Sequence, residues 1–328
     1  MKASPARASI VIPTRDPGPG FRQVLDRVLE QDCPWPYEIL VIDSGSRDGT
    51  VEFVKTRSGV RLQQIAPQEF GHGRTRNLGV SLTDGEFVAF LTHDAVPADG
   101  TWLARLVAAV DQAPDIAGAF GRHVASPGAS PFTVRDLEAH FARFREGPAV
   151  VSRDTDPVRY ESDPGWRQFL HFYSDNNSCL RRSVWEKIPY PDVEFAEDQI
   201  WAHRVIEAGY AKAYADDAVV RHSHDYGPLE RFQRAFDESN AFRVLFGYSL
   251  CGTPSKAARA IGWHVRRDIG FARKNGIGLA ATCGQVARGI AQVGGQMAGS
   301  HGHRLPGALR LRLSRDKRLQ RSLPVASA

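Results

Sequence analysis

The stretch that most constrains this chain runs from Glu86 to Pro97, E-F-V-A-F-L-T-H-D-A-V-P. Its five consecutive apolar residues, Phe87 to Leu91, have the pattern of a strand buried on both faces, as in a parallel sheet covered by helices. The run gives way at once to Thr92, His93 and Asp94, whose side chains can accept hydrogen bonds or meet a cation, and Pro97 bars further ladder pairing. In an open α/β sheet, ligands collect beyond the carboxyl ends of the strands. Asp94 is therefore the first candidate functional residue, one that meets a divalent cation or a phosphate through one.

The preceding segments repeat the same grammar. Ala8 to Pro13 is a buried strand ending at Thr14, Glu38 to Ile42 is a second ending on Asp43, and Val60 to Ile65 is a third. Between them Phe21, Val24, Leu25, Val28 and Leu29 recur at helical spacing over about 20–31. Asp48 can cap a helix carrying Val51, Phe53 and Val54, and a polar helix follows over about 73–82. This alternation predicts a parallel sheet with right-handed crossovers. It also brings the ends of the first two strands to the edge that carries Asp94, as in a nucleotide site, although Asp43 taken alone could equally terminate its turn. Neither a G-x-G-x-x-G nor a P-loop motif occurs, so neither a dinucleotide fold nor a P-loop is supported.

Composition narrows the class further. Among 328 residues, 42% are hydrophobic and 24% charged, ordinary for a globular chain with one large core or two small ones. The sequence has no run of 18 apolar residues and its first eight residues lack an apolar leader core, so the expected compartment is the cytosol. Cys33, Cys179, Cys251 and Cys283 lie too far apart in sequence for a zinc-finger pattern or a disulfide framework. The net charge of +5 is unevenly spread. From His301 onward Arg304, Arg310, Arg312, Arg315, Lys317, Arg318 and Arg321 face only Asp316, so this tail carries +6 and the rest about −1. The body therefore presents no broad basic field for nucleic acid.

Five motifs carry a likeness that spacing alone does not supply. I-V-I-P-T at Ile10–Thr14, E-I-L-V-I-D-S-G-S-R-D-G-T at Glu38–Thr50 and G-R-T-R-N-L-G at Gly73–Gly79 resemble the nucleotide-binding half of family 2 glycosyltransferases. L-T-H-D-A at Leu91–Ala95 stands where that family has its D-x-D motif, with Thr92 replacing the first aspartate, and F-A-E-D-Q-I-W at Phe195–Trp201 resembles its E-D motif. The likeness spans about residues 8–226. F-G-H-G-R-T-R-N, T-H-D-A and N-N-S-C-L-R-R are most similar to the bacterial rhamnosyltransferase branch.

The resemblance implies an α/β GT-A fold with a mostly parallel central sheet followed by C-terminal helices. It implies inverting, metal-dependent hexosyl transfer with Mg2+ or Mn2+, from a nucleotide-sugar donor to a saccharide or lipid-linked acceptor in cell-surface polysaccharide synthesis. dTDP-L-rhamnose is the favoured donor. The alternatives are a family 2 transferase using a UDP- or GDP-sugar, a nucleotidyltransferase that makes nucleotide sugars, and a non-catalytic binder of glycans or sugar nucleotides. By the same likeness Pro13, Thr14, Arg15, Asp43 and Ser44 line the nucleoside pocket, with Asp43 accepting from the base. Arg76 lies near the diphosphate or braces Asp43, Thr92 and His93 belong to the nucleotide-sugar site, and Asp94 is the surviving metal ligand. Asp198 is the general base that takes the acceptor's proton, and Glu197 binds or orients.

Several readings keep a structural alternative. His222 and His224 follow the apolar strand Ala218–Val220 and, as alternate residues of an extended segment, share a face; they are further metal or phosphate ligands, or exposed histidines. Glu197 and Asp198 open a helix and could serve only as favourable dipole partners. Asp175, Asn176, Asn177 and Ser178 either donate to donor-sugar hydroxyls, Asn177 foremost, or form a turn. Trp166, Phe169, Phe172 and Tyr173 are core or a sugar-stacking platform. The Pro-, Gly- and charge-rich stretch 126–163, around one helical piece at Phe132–Phe144, is expected to be a mobile flap.

The expected organisation is a transferase domain over 1–226, with a nucleotide-binding half to about 125 and an acceptor half beyond. Helices follow over 227–300, the last weakened by glycines, and then a basic flexible tail over 301–328. That tail is either solvated or docked on anionic lipid at the inner face of the cell membrane. A homo-oligomer is compatible with this reading, and no nucleic-acid partner is expected.

Overall fold

The computed structural model describes residues 6–193 and 195–317. The chain divides into two compact units after Ser223. In the first unit nine strands form one sheet: β1 Ala8–Thr14, β2 Tyr37–Asp43, β3 Val60–Gln64, β4 Phe87–Leu91, β5 Val96–Pro97, β6 Ile116–Val124, β7 Val150–Val151, β8 Asn177–Arg181 and β9 Ala211–Arg221. Their order is β3-β2-β1-β4-β8-β6-β9-β5, with β7 also pairing with β9. The pairs β1–β2, β1–β4, β2–β3 and β6–β9 are parallel, while β8 runs antiparallel to both β4 and β6. Strands β1 to β4, β6 and β9 therefore point one way, so the sheet is mixed and mostly parallel.

Side chains alternate between two cores, as the period of a strand requires. Ile10, Ile12, Ala89 and Leu91 pack with Val24, Leu25 and Val28 of helix Phe21–Leu29 and with Leu103 and Leu106 of helix Trp102–Asp111. Val11, Leu40, Val88 and Phe90 face the other way, onto Tyr173, Tyr190, Trp201 and Val205. The helices expected between the first four strands form at Phe21–Leu29, Thr50–Lys55 and His72–Ser81. Asp48 does not occupy the N-cap of the second, which is Gly49. Its carboxylate instead accepts from the Thr50 N–H at 3.1 Å and from Gly18 N–H at 2.8 Å, tying the loops after β1 and β2 together.

Two sequence expectations are corrected. The stretch 126–163 is not a flap around a single helix: it holds helix Pro131–Arg145, strand β7, a 3-10 turn and helix Pro157–Ser162. Pro131, Pro157 and Pro164 each stand first in a helix, where a missing N–H costs nothing. Phe141 and Phe144 are buried, Phe144 lying 5.1 Å from Phe120 and 4.9 Å from Phe172. Trp166 and Tyr173 are buried and Phe169 and Phe172 pack against the same cores, which supports the core reading of that aromatic group.

The second correction concerns the basic tail. Through residue 317 it carries a 3-10 turn, Gly302–Arg304, and a short helix, Gly307–Leu313, with Arg310 buried. Asp237 accepts from the backbone N–H groups of Arg315 at 3.0 Å and Asp316 at 2.9 Å, and Arg315 pairs with Glu230. The charge count concealed these internal partners. Arg318 and Arg321 lie outside the described residues.

The second unit is otherwise three helices, Pro228–Phe246, Pro254–Lys274 and Leu279–Ser300. Gly295 and Gly299 of the last form its packing surface. A Cβ at Gly295 would stand 2.2 Å from the Phe232 carbonyl oxygen, and one at Gly299 would stand 2.4 Å from that of Phe236. The stripe thus trades helix propensity, about 1 kcal/mol per glycine, for close approach to helix Pro228–Phe246. We expect Gly299→Ala to destabilise this unit by about 1–3 kcal/mol through overpacking. Gly284→Ala, with nothing within 4 Å of its Cβ position, should instead stabilise it by up to about 1 kcal/mol. Thermal melts followed by circular dichroism check both signs.

Candidate active site

The shared direction of the strands gathers the ends of β1, β2, β4 and β9 at one edge of the sheet. Asp43 closes β2 there and is fully buried. Its Oδ1 accepts from the backbone N–H groups of Gly45 and Ser46, both at 3.0 Å. Gly45 has a φ of 94°, a left-handed conformation that favours glycine and lets the loop fold back over the carboxylate. Asp43 Oδ2 is buried with no hydrogen-bond partner among the described residues, and so is Thr14 Oγ1 at the end of β1. A buried acceptor without a donor is costly to leave so, and two of them at a strand edge mark a polar ligand's place. Ser44 hydrogen bonds the Thr14 carbonyl oxygen through its N–H at 3.0 Å and its hydroxyl at 3.2 Å, so it joins β2 to β1. Pro13 is half-buried and Arg15 exposed beside them.

Beyond β4, Thr92, His93 and Asp94 are all half-buried, and Thr92 Oγ1 is a third buried oxygen without a partner among the described residues. Burial holds the His93 imidazole below the usual histidine range. His222 follows β9 and donates its backbone N–H to Val124 at 2.9 Å. Its Nε2 stands 3.5 Å from Asp94 Oδ1. Asp94 and His222 thus form a candidate metal pair from strand ends remote in sequence. His224 is the first residue of the second unit, where its ring stacks on Tyr226 at 5.2 Å.

A second polar group forms around Arg76, which projects from helix His72–Ser81 and is buried. Its Nη1 donates to Glu197 Oε1 at 2.6 Å, and its Nε lies 3.0 Å from Asp175 Oδ2, an ion pair whose angle falls outside hydrogen-bond geometry. Arg76 therefore does not brace Asp43, and its charge serves buried carboxylates of its own chain. Asp175 Oδ1 also accepts from the Ser178 hydroxyl at 2.6 Å and the Tyr190 hydroxyl at 3.0 Å. Burial pushes the Asp175 carboxyl up to about 6 against the lowering effects of Arg76 and Ser178. Asp198 is half-buried and accepts from Asp175 N–H at 3.3 Å. Burial first, then the charges of Glu197 and Asp175, hold it well above the usual carboxylate range. Both acids open helix Glu197–Glu207, directly after Ala196, whose φ of 57° is one of two positive values on non-glycine residues among those described. Strain of this kind collects where surrounding structure over-determines a site.

Asn177 does not hold its amide free for a sugar hydroxyl. It is fully buried, its Oδ1 accepting from Trp102 Nε1 at 2.7 Å and its Nδ2 donating to the Ala218 carbonyl at 2.8 Å and that of Arg122 at 3.2 Å, so its amide is committed to fastening β8 within the sheet. Asp175 is the residue that sequence reasoning undervalued. The D-N-N-S run signalled a polar cluster but gave no sign that its aspartate is buried against Arg76.

The model for glycosyl transferase family 2 matches residues 9–188. The chain belongs to that family. This family 2 glycosyltransferase is 35% identical over 234 residues to the O-antigen chain rhamnosyltransferase RfbN of Salmonella typhimurium, covering 70% of this chain and 71% of the relative. It is 30% identical over 232 residues to the O-antigen chain rhamnosyltransferase WbaN of Salmonella anatum, covering 70% of each. Among solved structures, the mannosyltransferase PcManGT from Pyrobaculum calidifontis, in complex with GDP-Man and Mn2+, matches 91% of the transferase and 89% of its own chain, with a TM-score of 0.57 at 18% identity. TarS residues 1–349 of S. aureus in complex with UDP gives a TM-score of 0.51 at 17% identity over 88% of the transferase and 90% of that chain. The fold is therefore GT-A, and the chain is a glycosyltransferase by family.

Proposed function

We propose that this enzyme moves L-rhamnose from dTDP-L-rhamnose, with inversion, onto a hydroxyl of a saccharide or lipid-linked saccharide during synthesis of a cell-surface polysaccharide. The observation that carries the donor class is Asp43 Oδ2, a buried acceptor without a partner beside Thr14 Oγ1. The N3–H of thymine or uracil supplies the donor it lacks. The choice of rhamnose is supported by the two Salmonella relatives. The same reading puts the enzyme in the cytoplasm, in peripheral contact with the inner face of the cell membrane.

Asp94 and His222 fit a divalent cation. Octahedral coordination at about 2.1 Å sets neighbouring ligands about 3 Å apart, close to the 3.5 Å between Asp94 Oδ1 and His222 Nε2. Bound there, Mg2+ or Mn2+ supplies positive charge to the donor's diphosphate. With Thr92 in place of a carboxylate, Asp94 and His222 are the side chains that would hold the ion. In the transfer itself the acceptor oxygen bonds to the anomeric carbon as the bond from that carbon to the diphosphate oxygen breaks. The acceptor's proton passes to Asp198, and the electron pair leaves with dTDP. Glu197, held by Arg76, fixes the start of the helix that presents Asp198.

A thermal-shift panel tests this reading with dTDP-rhamnose, UDP-glucose, UDP-N-acetylglucosamine and GDP-mannose, each with and without Mg2+ or Mn2+. At a hundredfold excess over Kd, the true donor stabilises the native state by about 2.7 kcal/mol. We expect dTDP-rhamnose with metal to give that shift, and Asp94→Asn to lose its metal-dependent part. A shift with a UDP- or GDP-sugar alone replaces the donor, and no shift with any of them overturns the proposal.

A further inference from the structure

Residues 254–300 of the second unit carry Lys256, Arg259, Arg266, Arg267, Arg273, Lys274 and Arg288, against one acidic residue, Asp268. Asp268 is fully buried and paired with Arg267 at 2.9 Å, so it offsets nothing at the surface. On helix Pro254–Lys274, Arg259, Trp263, Arg266, Gly270 and Arg273 are all exposed and recur at the three- and four-residue spacing that makes one stripe. Trp263 is 56% exposed and lies under the Arg267 guanidinium at 4.6 Å.

Beside the stripe, between this helix and Leu279–Ser300, opens a groove of about 560 Å³ lined by Ile269, Ile277, Leu279, Val286, Ile290 and the stem of Arg273. Leu279 is 79% and Ile290 44% exposed. Large apolar side chains left in water beside unopposed arginines suit neither a core nor an ordinary solvated face. They suit an interface that is anionic at its surface and apolar just below. Tryptophan beside arginine is the pairing that settles at phospholipid headgroup depth.

We propose that the stripe Arg259–Trp263–Arg266–Arg273, with the adjoining apolar groove, docks on the anionic surface of a phospholipid bilayer. The contact lies on the membrane and does not span it, since no helix among the described residues is long and apolar enough to cross. It also relocates the membrane contact expected of the basic tail, where Arg310 is buried and Arg315 is paired with Glu230. The purpose of such docking rests on the proposed membrane-borne acceptor, but its test does not.

The test is sedimentation of the full chain with vesicles of phosphatidylcholine and phosphatidylglycerol at 7:3, and with phosphatidylcholine alone. Each basic residue near an anionic surface strengthens partitioning by about fivefold. The wild type should therefore prefer the anionic vesicles, and Arg259→Glu/Arg266→Glu/Arg273→Glu should weaken binding by at least about 100-fold. Vesicles containing dibrominated phosphatidylcholine should quench tryptophan fluorescence in the wild type, and Trp263→Phe should lose that quenching. All four positions are exposed, so melting curves and the nucleotide-sugar thermal shift should stay at wild-type values, which separates failure of docking from failure of the transferase reading. Equal binding to both vesicle types overturns the proposal, as does a triple variant that binds undiminished. Loss of binding in Arg318→Glu/Arg321→Glu with the triple variant unaffected would return the contact to the chain's end.

Discussion

Asp198→Asn is expected to lower kcat for sugar transfer by about 10²- to 10⁴-fold, the usual contribution of a positioned general base, while leaving the donor-induced thermal shift unchanged. The amide keeps the size of the carboxylate and can still accept the Asp175 N–H that approaches at 3.3 Å, so the fold survives. What it loses is the ability to take a proton as the acceptor oxygen bonds to the anomeric carbon. Glu197→Gln should behave differently. Glu197 is buried and receives Arg76 Nη1 at 2.6 Å, so its loss falls first on stability, through an Arg76 charge left half-neutralised. A single-turnover assay with melting curves on both variants separates the roles. A folded Asp198→Asn enzyme with undiminished kcat would remove Asp198 from the chemistry.

The nucleotide-binding half was legible because its strands and helices obey simple periods. Ile10, Val11 and Ile12 are apolar in sequence because both faces of β1 are covered, and the same holds from Phe87 to Leu91 in β4. Asp43 and Asp94 stood out by interrupting such runs at their ends. The second half was opaque for the opposite reason. Strand β8 reads N-S-C-L-R, yet every residue of it is buried; Asn177 and Arg181 are paid for by partners such as Trp102 Nε1 and the Val110 carbonyl, which only the folded chain supplies. Arg76 misled in the same way. The family likeness places Arg76 near the diphosphate or against Asp43, and nothing nearby in sequence announces a carboxylate 121 residues on.

The Arg76 cluster also predicts how activity should vary with pH. The base must be deprotonated to work, so kcat/KM should fall as pH drops through the Asp198 pKa, and that limb should lie above the usual carboxylate range. The groups facing Asp198 set it there: burial raises it, the Glu197 and Asp175 charges raise it further, and Arg76 and the Gln199 N–H at 2.8 Å lower it. Asp175→Asn removes a raising charge and should move the acid limb to lower pH. Arg76→Met removes the lowering charge and should move it to higher pH. The two shifts are opposite, which a general loss of structure cannot imitate.

Arg76→Met should also cost about 3–5 kcal/mol, because it leaves buried carboxylates without their counter-ion. Asp175 already has its pKa raised to about 6 with Arg76 in place. A carboxyl raised in the folded state contributes stability that is present below its unfolded value, near 3.8, and is lost as pH rises through the folded one. Without Arg76 that loss deepens, so the variant's deficit should be large at pH 7.5 and shrink toward pH 5. Adding Asp175→Asn and Glu197→Gln to Arg76→Met should recover much of the deficit at pH 7.5, since the carboxylates that needed the guanidinium are then neutral. Urea titrations at the two pH values decide it: a deficit independent of pH, or one untouched by the added amides, would mean that Arg76 acts through packing, on Phe90 among others, and not as the counter-ion of the acidic group that presents Asp198.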